Sequence, residues 1–287
     1  MLEKIFNADD FGISKGVNAA IIKAHKEGIL NSASLMINQK CADEAVEAAK
    51  QMPDLQVGLH LNLTNEYPAA DAHKISLLVG PDGKLKNGFV KLLVLSIIKP
   101  QELQKQVEIE IRAQIEKYLH TGLALKHIDG HRHVHLIPVI FRVVRHLAAQ
   151  YNIHRIRVMN ENIFYTLKYN RQNIKQLGLP HLLDGSLIKY GLLRFLTWVN
   201  NYHTDVYFYT MLWTCKISRD LFQNVKIPHG YRAVEVMIHP GMPEIDKQLP
   251  EDVWDENILS PYRTTELETL LDKNVPNGID AEEHGND

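Results

Sequence analysis

Short apolar runs alternate with amphipathic stretches along most of the chain. Apolar runs of this length, bounded by turn residues, are typical of buried strands. Apolar residues spaced three or four positions apart are typical of one helix face. The predicted strands are KIFNADD (4–10), SASLMIN (32–38), LQVGLHLNLT (55–64), HIDGHRHVH (127–135), HRIRVMN (154–160) and YRAVEVMIHPG (231–241). The predicted helices cover residues 14–28, 41–52, 101–121, 138–150 and 262–271.

Strands that alternate with helices predict an α/β fold with a parallel sheet. A (βα) barrel, incomplete or distorted, and a doubly wound sheet both fit this pattern. We expect one catalytic domain over residues 1–275. Within it, residues 66–100 are expected to be irregular, and residues 161–230, where the periodicity is lost, to form a variable insert. Residues 276–287 are mostly small, polar or acidic and are expected to form a disordered tail.

Composition excludes several classes of protein. The net charge of −2, without a basic cluster, argues against a nucleic-acid-binding protein. The most apolar runs, at 89–98 and 192–199, are too short to cross a bilayer, so no transmembrane segment is expected. Cys41 and Cys215 are too few for a disulfide framework, and the start of the chain lacks the apolar core of a signal peptide. These features predict a cytoplasmic protein.

The stretch HIDGHRHVH concentrates the side chains that bind metals or move protons near neutral pH. A glycine inside the stretch and a proline shortly after it argue against a helix. In a strand, alternate side chains point to the same face, so we expect the five residues at odd positions to project together. They are His127, Asp129, His131, His133 and His135.

Further candidates for chemistry stand at the carboxyl ends of other predicted strands, where active sites of parallel α/β folds form. Each of them alone has a structural explanation, such as a turn, a helix cap or a hydrogen-bonded core histidine. Their shared position at one edge of the sheet favours a functional site instead. They are Asp9 and Asp10 after the first strand, His60 in the third, and Glu235 and His239 at the last.

One carboxylate and two imidazoles form a three-ligand set that leaves positions on a metal open for water and substrate. A second carboxylate then acts as a general base, and a histidine opposite protonates a leaving group. The ligand types admit zinc, magnesium, cobalt or manganese.

Four motifs resemble those of the YdjC-like carbohydrate deacetylases: NADDFG (7–12), GLHLNLT (58–64), HIDGHRHVH (127–135) and EVMIHPG (235–241). The family includes chitooligosaccharide deacetylases and proteins linked to hopanoid biosynthesis. The resemblance implies a (βα) barrel, often an incomplete one. It implies an enzyme that removes the acetyl group from an N-acetylated sugar, an amide hydrolysis, with one divalent metal, magnesium in the family.

The resemblance also implies a role for individual residues. Asp10, His60 and His131 match the metal ligands, Asp9 the general base and His239 the candidate acid. We expect His127 to orient a neighbouring side chain or Asp129, and Asp129 to fix an imidazole tautomer by hydrogen bonding. His133 and His135 are expected to line the pocket or bind substrate. Glu235 and Arg157 are assigned to support of the site or to substrate binding.

Two other functions stay open at this point. One is a metal-holding barrel that binds a carbohydrate or protein partner without turnover. The other is a glycosidase using Asp9 and Glu235, which would leave the histidines unexplained. The sequence does not identify the sugar; the candidates are a chitin-derived oligosaccharide, a glycolipid-linked N-acetylglucosamine and another N-acetylated sugar. A homodimer is also possible from the sequence.

Overall fold

The structure, a computed structural model, describes residues 2–169, 185–248 and 255–282. The strands are β1 (Glu3–Phe11), β2 (Ser32–Leu35), β3 (Gln56–Leu61), β4 (Ile128–Gly130), β5 (Val206–Tyr209), β6 (Val225–Ile227), β7 (Ala233–Ile238) and β8 (Ile279–Ala281). Six of them form one sheet in the order β4-β3-β2-β1-β7-β5, and every neighbouring pair is parallel. This sheet is curled into a half-barrel, which confirms the predicted incomplete (βα) barrel. β6 and β8 pair separately.

Helices connect and cover these strands. They are α1 (Lys15–Glu27), α2 (Ala42–Lys50), α3 (Phe89–Ile98), α4 (Pro100–His120), α5 (Pro138–Gln150), α6 (Ile163–Tyr169), α7 (Ser186–Asn200), α8 (Pro243–Asp246) and α9 (Tyr262–Leu271). The five helices predicted from periodicity are all present. In α1, the Ser14 hydroxyl caps the helix by accepting a hydrogen bond from the Val17 amide at 3.2 Å. The apolar residues at helical spacing in α1 are fully buried, namely Val17, Ala20, Ile21 and Ala24.

Two regions outside the histidine-rich stretch differ from the sequence predictions within the first 160 residues. Residues 66–100 are not irregular throughout, because 89–98 form α3, whose apolar side chains lie on all sides and give no clear helical periodicity. Residues 154–160 form no strand and contribute only a bridge between Ile156 and Ile128. No helix among the described residues is long and apolar enough to span a bilayer.

The later part of the chain is more regular than its sequence pattern indicates. The proposed insert at 161–230 contributes α6, α7, β5 and β6, and β5 is an edge strand of the main sheet. Residues 170–184 of it lie outside the described part of the chain. The prediction of a disordered tail is wrong for residues 276–282, which contain β8. Pairing with β6 provides hydrogen-bond partners for the backbone of this polar segment. Residues 283–287 lie outside the description.

Strand register brings the predicted site residues to one edge of the sheet. Ala8 of β1 is paired with Ile238 of β7, so the two aspartates that follow Ala8 stand beside His239. In the same way, His60 of β3 is paired with Asp129 of β4. The parallel arrangement therefore places motifs that are far apart in sequence side by side.

Glu161 anchors the start of the later region to the rest of the fold. Its carboxylate accepts hydrogen bonds from the Thr166 hydroxyl and the Met211 amide, both at 2.9 Å. The side chain is fully buried, and burial raises its pKa to about 7. The carboxyl is therefore protonated in the folded protein at a pH where it is ionised in the unfolded chain.

This shift predicts a pH-dependent stability that Glu161→Gln removes. A raised carboxyl pKa contributes stability below about pH 4.5 that is lost as the pH rises through 7. Between pH 5 and pH 8, the free energy of unfolding of the wild type should therefore fall by about 2 kcal/mol more than that of the variant. Urea unfolding of both proteins at the two pH values measures the difference. Parallel pH profiles would show that Glu161 does not titrate on unfolding.

Candidate metal centre and active site

A bulge at the end of β1 presents both adjacent aspartates to one cavity. The pairing of β1 with β2 shifts register between Ala8 and Phe11, and Asp10 has a φ of 68°. Such a left-handed backbone is uncommon outside glycine, although aspartate tolerates it better than most residues. Gly12 follows with a φ of 90°, and a Cβ there would lie 3.1 Å from the Ala42 Cα. The motif therefore needs its glycine for both conformation and space.

Asp10, His60 and His131 lie close enough to hold one metal ion. The His131 Nδ1 is 2.9 Å and the His60 Nε2 is 3.6 Å from Asp10 Oδ1. Two ligands about 2.1 Å from a tetrahedral ion stand about 3.4 Å apart, so these separations need only small adjustments. All three side chains are buried, and their donor atoms lie within 4.8 Å of one another. These residues therefore fit a divalent metal.

Asp129 fixes the orientation of the His60 ring. Its Oδ1 is 2.7 Å from His60 Nδ1, which leaves Nε2 facing Asp10. A carboxylate behind a histidine is the usual support for a metal-binding imidazole. Asp9, His60 and Asp129 form a second cluster of potential ligands, but Arg157 already binds both of its carboxylates. The first set is the better metal site.

Charge at the centre matches this arrangement. Burial raises the pKa of Asp10, but the charge of His131, hydrogen bonds from both histidines and the charge of Arg263 outweigh it and hold the pKa well below its ordinary value. Burial lowers the pKa of His60, and the charges of Asp129 and Asp9 outweigh it and raise the pKa to about 10. Without a metal, the centre is therefore an anionic carboxylate beside an imidazolium. A bound cation replaces that proton.

Arg157 joins three carboxylates beneath the site. Its Nη1 and Nη2 donate to the two oxygens of Asp9 at 2.7 and 2.8 Å, and its Nε donates to Glu235 at 2.7 Å. Nη2 also lies 2.7 Å from Asp129. Arg155 binds the other oxygen of Glu235 at 3.1 Å. Glu235 is therefore held away from the cavity by two arginines, which argues against the glycosidase.

The histidine-rich stretch is not a continuous strand. β4 ends at Gly130, and residues 131–136 form 3₁₀ turns in which Arg132 and His133 have φ values of 55° and 58°. The prediction that the five alternate side chains face the same way is therefore wrong. His131 and His133 line the cavity, whereas His127 and His135 do not.

The two histidines that do not line the cavity form hydrogen bonds with residues that surround the site. His127 Nε2 lies 3.0 Å from Ser34 Oγ, and that hydroxyl donates to Asp129 at 2.7 Å. His127 is thus connected to Asp129 through a serine. Gly58 makes room for this ring, because a Cβ there would lie 2.5 Å from it. His135 Nε2 lies 3.0 Å from the Arg157 carbonyl, so the prediction that His135 lines the pocket is wrong.

Burial keeps four other imidazoles neutral at neutral pH: His127, His133, His135 and His239. Burial lowers the pKa of His127 and His133 well below the ordinary value, and it lowers the pKa of His135 and of His239 to about 4. His239 Nε2 lies 3.9 Å from Asp9 Oδ2 and Nδ1 lies 3.8 Å from Glu266. The candidate acid thus stands between two carboxyl groups, close to both but beyond hydrogen-bond distance of either.

Sequence reasoning missed two functional residues on α9. Arg263 Nη2 donates to Asp10 Oδ2 at 2.7 Å, and Glu266 accepts the His239 amide at 2.6 Å. Burial raises the pKa of Glu266 to about 7. In the sequence, an arginine and a glutamate three positions apart look like an exposed ion pair on a helix, and only the buried packing of α9 distinguishes them. Asn7, whose side-chain amide donates to Asp9 at 2.8 Å, was also missed, although it opens the NADDFG motif.

The site lies at the bottom of a cavity of about 620 Å³. Its floor is polar, and its walls include apolar residues of α3 and α7. Two of these are strongly exposed at the mouth, Val90 at 72% and Ile188 at 78%. A second cavity of about 720 Å³ also borders α7, but it is lined mainly by aromatic and neutral polar residues and contains none of the candidate metal ligands. The first cavity is therefore the candidate active site.

Comparison with known proteins places this geometry in a family. The family described as YdjC-like protein matches residues 4–281. A protein named carbohydrate deacetylase from Brevibacillus brevis is 40% identical over 152 residues, which are 53% of this chain and 58% of that protein. One of the same name from Clostridium beijerinckii is 36% identical over 194 residues, covering 64% of this chain and 76% of the relative. The match thus spans little more than half of the Brevibacillus protein.

Two further matches extend over nearly the whole chain. A carbohydrate deacetylase from Oceanobacillus iheyensis is 32% identical over 274 residues, covering 96% of this chain and 98% of the relative. A crystal structure from Enterococcus faecalis V583, described provisionally as a cellobiose-phosphate cleavage protein, superposes with a TM-score of 0.68 at 24% identity, covering 97% of this chain and 94% of that one. The latter supports the fold alone. With its motifs gathered at one edge of the half-barrel and its sequence matched from residue 4 to residue 281, this chain belongs to the YdjC-like protein family.

Proposed function

We propose that this protein is a metal-dependent carbohydrate deacetylase that hydrolyses the acetamide of an N-acetylated sugar. The observation that carries the proposal is the buried set of Asp10, His60 and His131 next to Asp9, at the floor of an open cavity. The names of the relatives support the same activity. A binding protein without turnover would not need a second carboxylate and a histidine beside the metal ligands.

The chain's own residues would divide the work as follows. Asp10, His60 and His131 would hold a divalent ion, which would supply a lowered pKa for a water molecule and polarisation of a carbonyl oxygen. Asp9 accepts the proton of the attacking water at Oδ2, which accepts one hydrogen bond, from Arg157, whereas Oδ1 accepts two, from Asn7 and Arg157. Arg157 holds this carboxylate in place through hydrogen bonds to both of its oxygens.

His239 then serves the departing amine. It is neutral at rest, so it must first receive a proton, and Asp9 Oδ2, 3.9 Å from its Nε2, is the group that has just gained one. The Glu266 carboxylate accepts a hydrogen bond from the His239 main-chain amide. This bond fixes the backbone that carries the ring beside Asp9. His239 Nε2 can then donate the proton to the amine nitrogen as the C–N bond breaks.

Metal, substrate and cellular location remain proposals. Family resemblance favours magnesium, whereas two imidazoles and one carboxylate are typical of zinc. The sugar is a chitin-derived oligosaccharide or a glycolipid-linked N-acetylated sugar. The exposed apolar residues Val90 and Ile188 at the mouth favour the glycolipid, because they can cover an apolar chain next to the sugar. Cys41 and Cys215 form no disulfide, in keeping with the proposed cytoplasmic location, and a homodimer stays a prediction.

Metal removal tests the proposed function. Chelation followed by dialysis is expected to abolish acetate release from N-acetylated sugars, and added divalent metal is expected to restore it. The measurement is acetate release over a panel of chitooligosaccharides and glycolipids, with the metal content of each sample determined. Activity that persists in a verified metal-free sample would exclude the mechanism.

Product analysis separates the alternative functions. Acetate with an intact glycan supports deacetylation, a new reducing sugar supports a glycosidase, and binding without any product supports the non-catalytic barrel. The glycosidase is the weakest of the three because Arg155 and Arg157 hold Glu235.

A further inference from the structure

We infer that Arg263 confines Asp10 to binding the metal through one oxygen, and that it thereby lowers metal affinity and keeps a coordination position open. The inference rests on the metal site proposed above. Arg263 lies 253 positions from Asp10 in sequence and reaches it from α9. No part of the proposed catalytic steps uses it.

The two oxygens of Asp10 have different partners. Oδ1 faces the candidate metal ligands, at 2.9 Å from His131 Nδ1 and 3.6 Å from His60 Nε2. Oδ2 accepts a charge-assisted hydrogen bond from Arg263 Nη2 at 2.7 Å. A carboxylate whose second oxygen is held in this way offers a metal only its first.

The guanidinium is fixed, so it is not a side chain that a metal simply pushes aside. Arg263 is 7% exposed, and its Nε donates to the Asn257 carbonyl at 2.9 Å. Its stem packs on Gly241, where a Cβ would lie 2.9 Å from the Arg263 Cδ. The Gly241 amide also donates to the Arg263 carbonyl at 3.1 Å. The arginine is therefore anchored from both its main chain and its side chain.

Removing Arg263 should change the metal site in two ways. The charge of Asp10 is no longer offset by an arginine, and its Oδ2 becomes available as a further ligand. Both changes favour metal binding, because a cation no longer competes for the carboxylate. The second oxygen, however, occupies a position that a catalytic metal needs open for water and substrate. Tighter metal binding and slower turnover should therefore appear together.

The test compares Co²⁺ binding and acetate release in purified metal-free proteins. We expect Arg263→Met to bind Co²⁺ about 10-fold more tightly than the wild type and to release acetate at least about 10-fold more slowly, the scale of effects seen for residues that hold metal ligands. Arg263→Lys retains a cation near Oδ2 and should bind Co²⁺ with nearly wild-type affinity. Arg232→Met is the matched control, since Arg232 is an exposed arginine that binds Glu3 and Asp205 at the opposite edge of the sheet.

The outcomes distinguish this inference from the function on which it rests. Weaker or unchanged Co²⁺ binding by a folded Arg263→Met would overturn the inference and show that Arg263 only stabilises the fold. No Co²⁺ binding by the wild type would instead overturn the proposed metal site. If Arg263→Met does not fold, Arg263→Gln, which is neutral but keeps hydrogen-bond donors, takes its place with the same expected result. The change in the visible Co²⁺ spectrum reports the added ligand independently of activity.

Discussion

Asp9→Asn is expected to keep its metal and lose most of its turnover, whereas Asp10→Asn is expected to lose both. Asparagine at position 10 replaces an anionic ligand by a neutral one, so metal occupancy falls along with activity. Asparagine at position 9 leaves all three proposed ligands in place but cannot accept the proton of the attacking water. General-base catalysis typically contributes about 10² to 10⁴ in rate, so kcat should fall by about that factor with little change in KM.

The structure explains why Asp9→Asn should still fold. Arg157 retains two other carboxylate partners, Asp129 and Glu235, so its buried charge stays compensated. Metal analysis beside steady-state kinetics on the two purified variants measures the split. Asp54→Asn, a change at an exposed position, serves as the control and should match the wild type in both measurements. A metal-free Asp9→Asn with a loaded Asp10→Asn would reverse the assigned roles.

The sequence predicted the edge of the sheet well because strand ends are local features. Short apolar runs followed by polar residues locate the ends of β1, β3 and β7. Parallel pairing then brings these ends to the same edge of the sheet. Asp10, His60 and His131 therefore meet in the structure as the motifs required. Their roles as ligands stay predictions until metal binding is measured.

The sequence failed where backbone geometry departs from the simple period of a strand. The alternation of histidines after Asp129 implied one face, yet left-handed residues at Arg132 and His133 turn the chain after Gly130. Such φ values are uncommon for arginine and histidine, so no residue in the stretch indicates them. The result separates His131 and His133, which line the cavity, from the other histidines.

Contacts between distant parts of the chain were also beyond sequence reasoning. Arg263 and Glu266 reach Asp10 and His239 only because α9 packs against the end of the sheet, and an amphipathic pattern does not reveal which partner a buried charge will meet. The same limit applies to Ser34, whose small hydroxyl connects His127 to Asp129. These contacts are visible only in the folded structure, because the propensities of single residues do not indicate which distant side chains will meet.

Arg157→Met is expected to give the largest loss of stability, because this one side chain compensates Asp9, Asp129 and Glu235. All four groups are buried. Arg155 still binds Glu235 and His60 still binds Asp129, but Asp9 loses its cation, and breaking a buried pair in this way typically costs about 3 to 5 kcal/mol. The free energy of unfolding in urea at pH 7 should fall by at least that amount. Acetate release by the remaining folded protein should also fall, since Asp9 loses the two hydrogen bonds that orient it.

Two further variants make this last prediction specific. Arg155→Met removes a partly exposed arginine that binds Glu235 at 3.1 Å, while Arg157 still compensates the same carboxylate. The free energy of unfolding of Arg155→Met should fall by only about 1 kcal/mol, as for ion pairs that are accessible to water. Adding Asp9→Asn to Arg157→Met removes the carboxylate charge that has lost its arginine and should recover part of the lost stability. Equal losses for the two arginine variants, or no recovery in the double variant, would mean that Arg157 acts through packing and not through its charge.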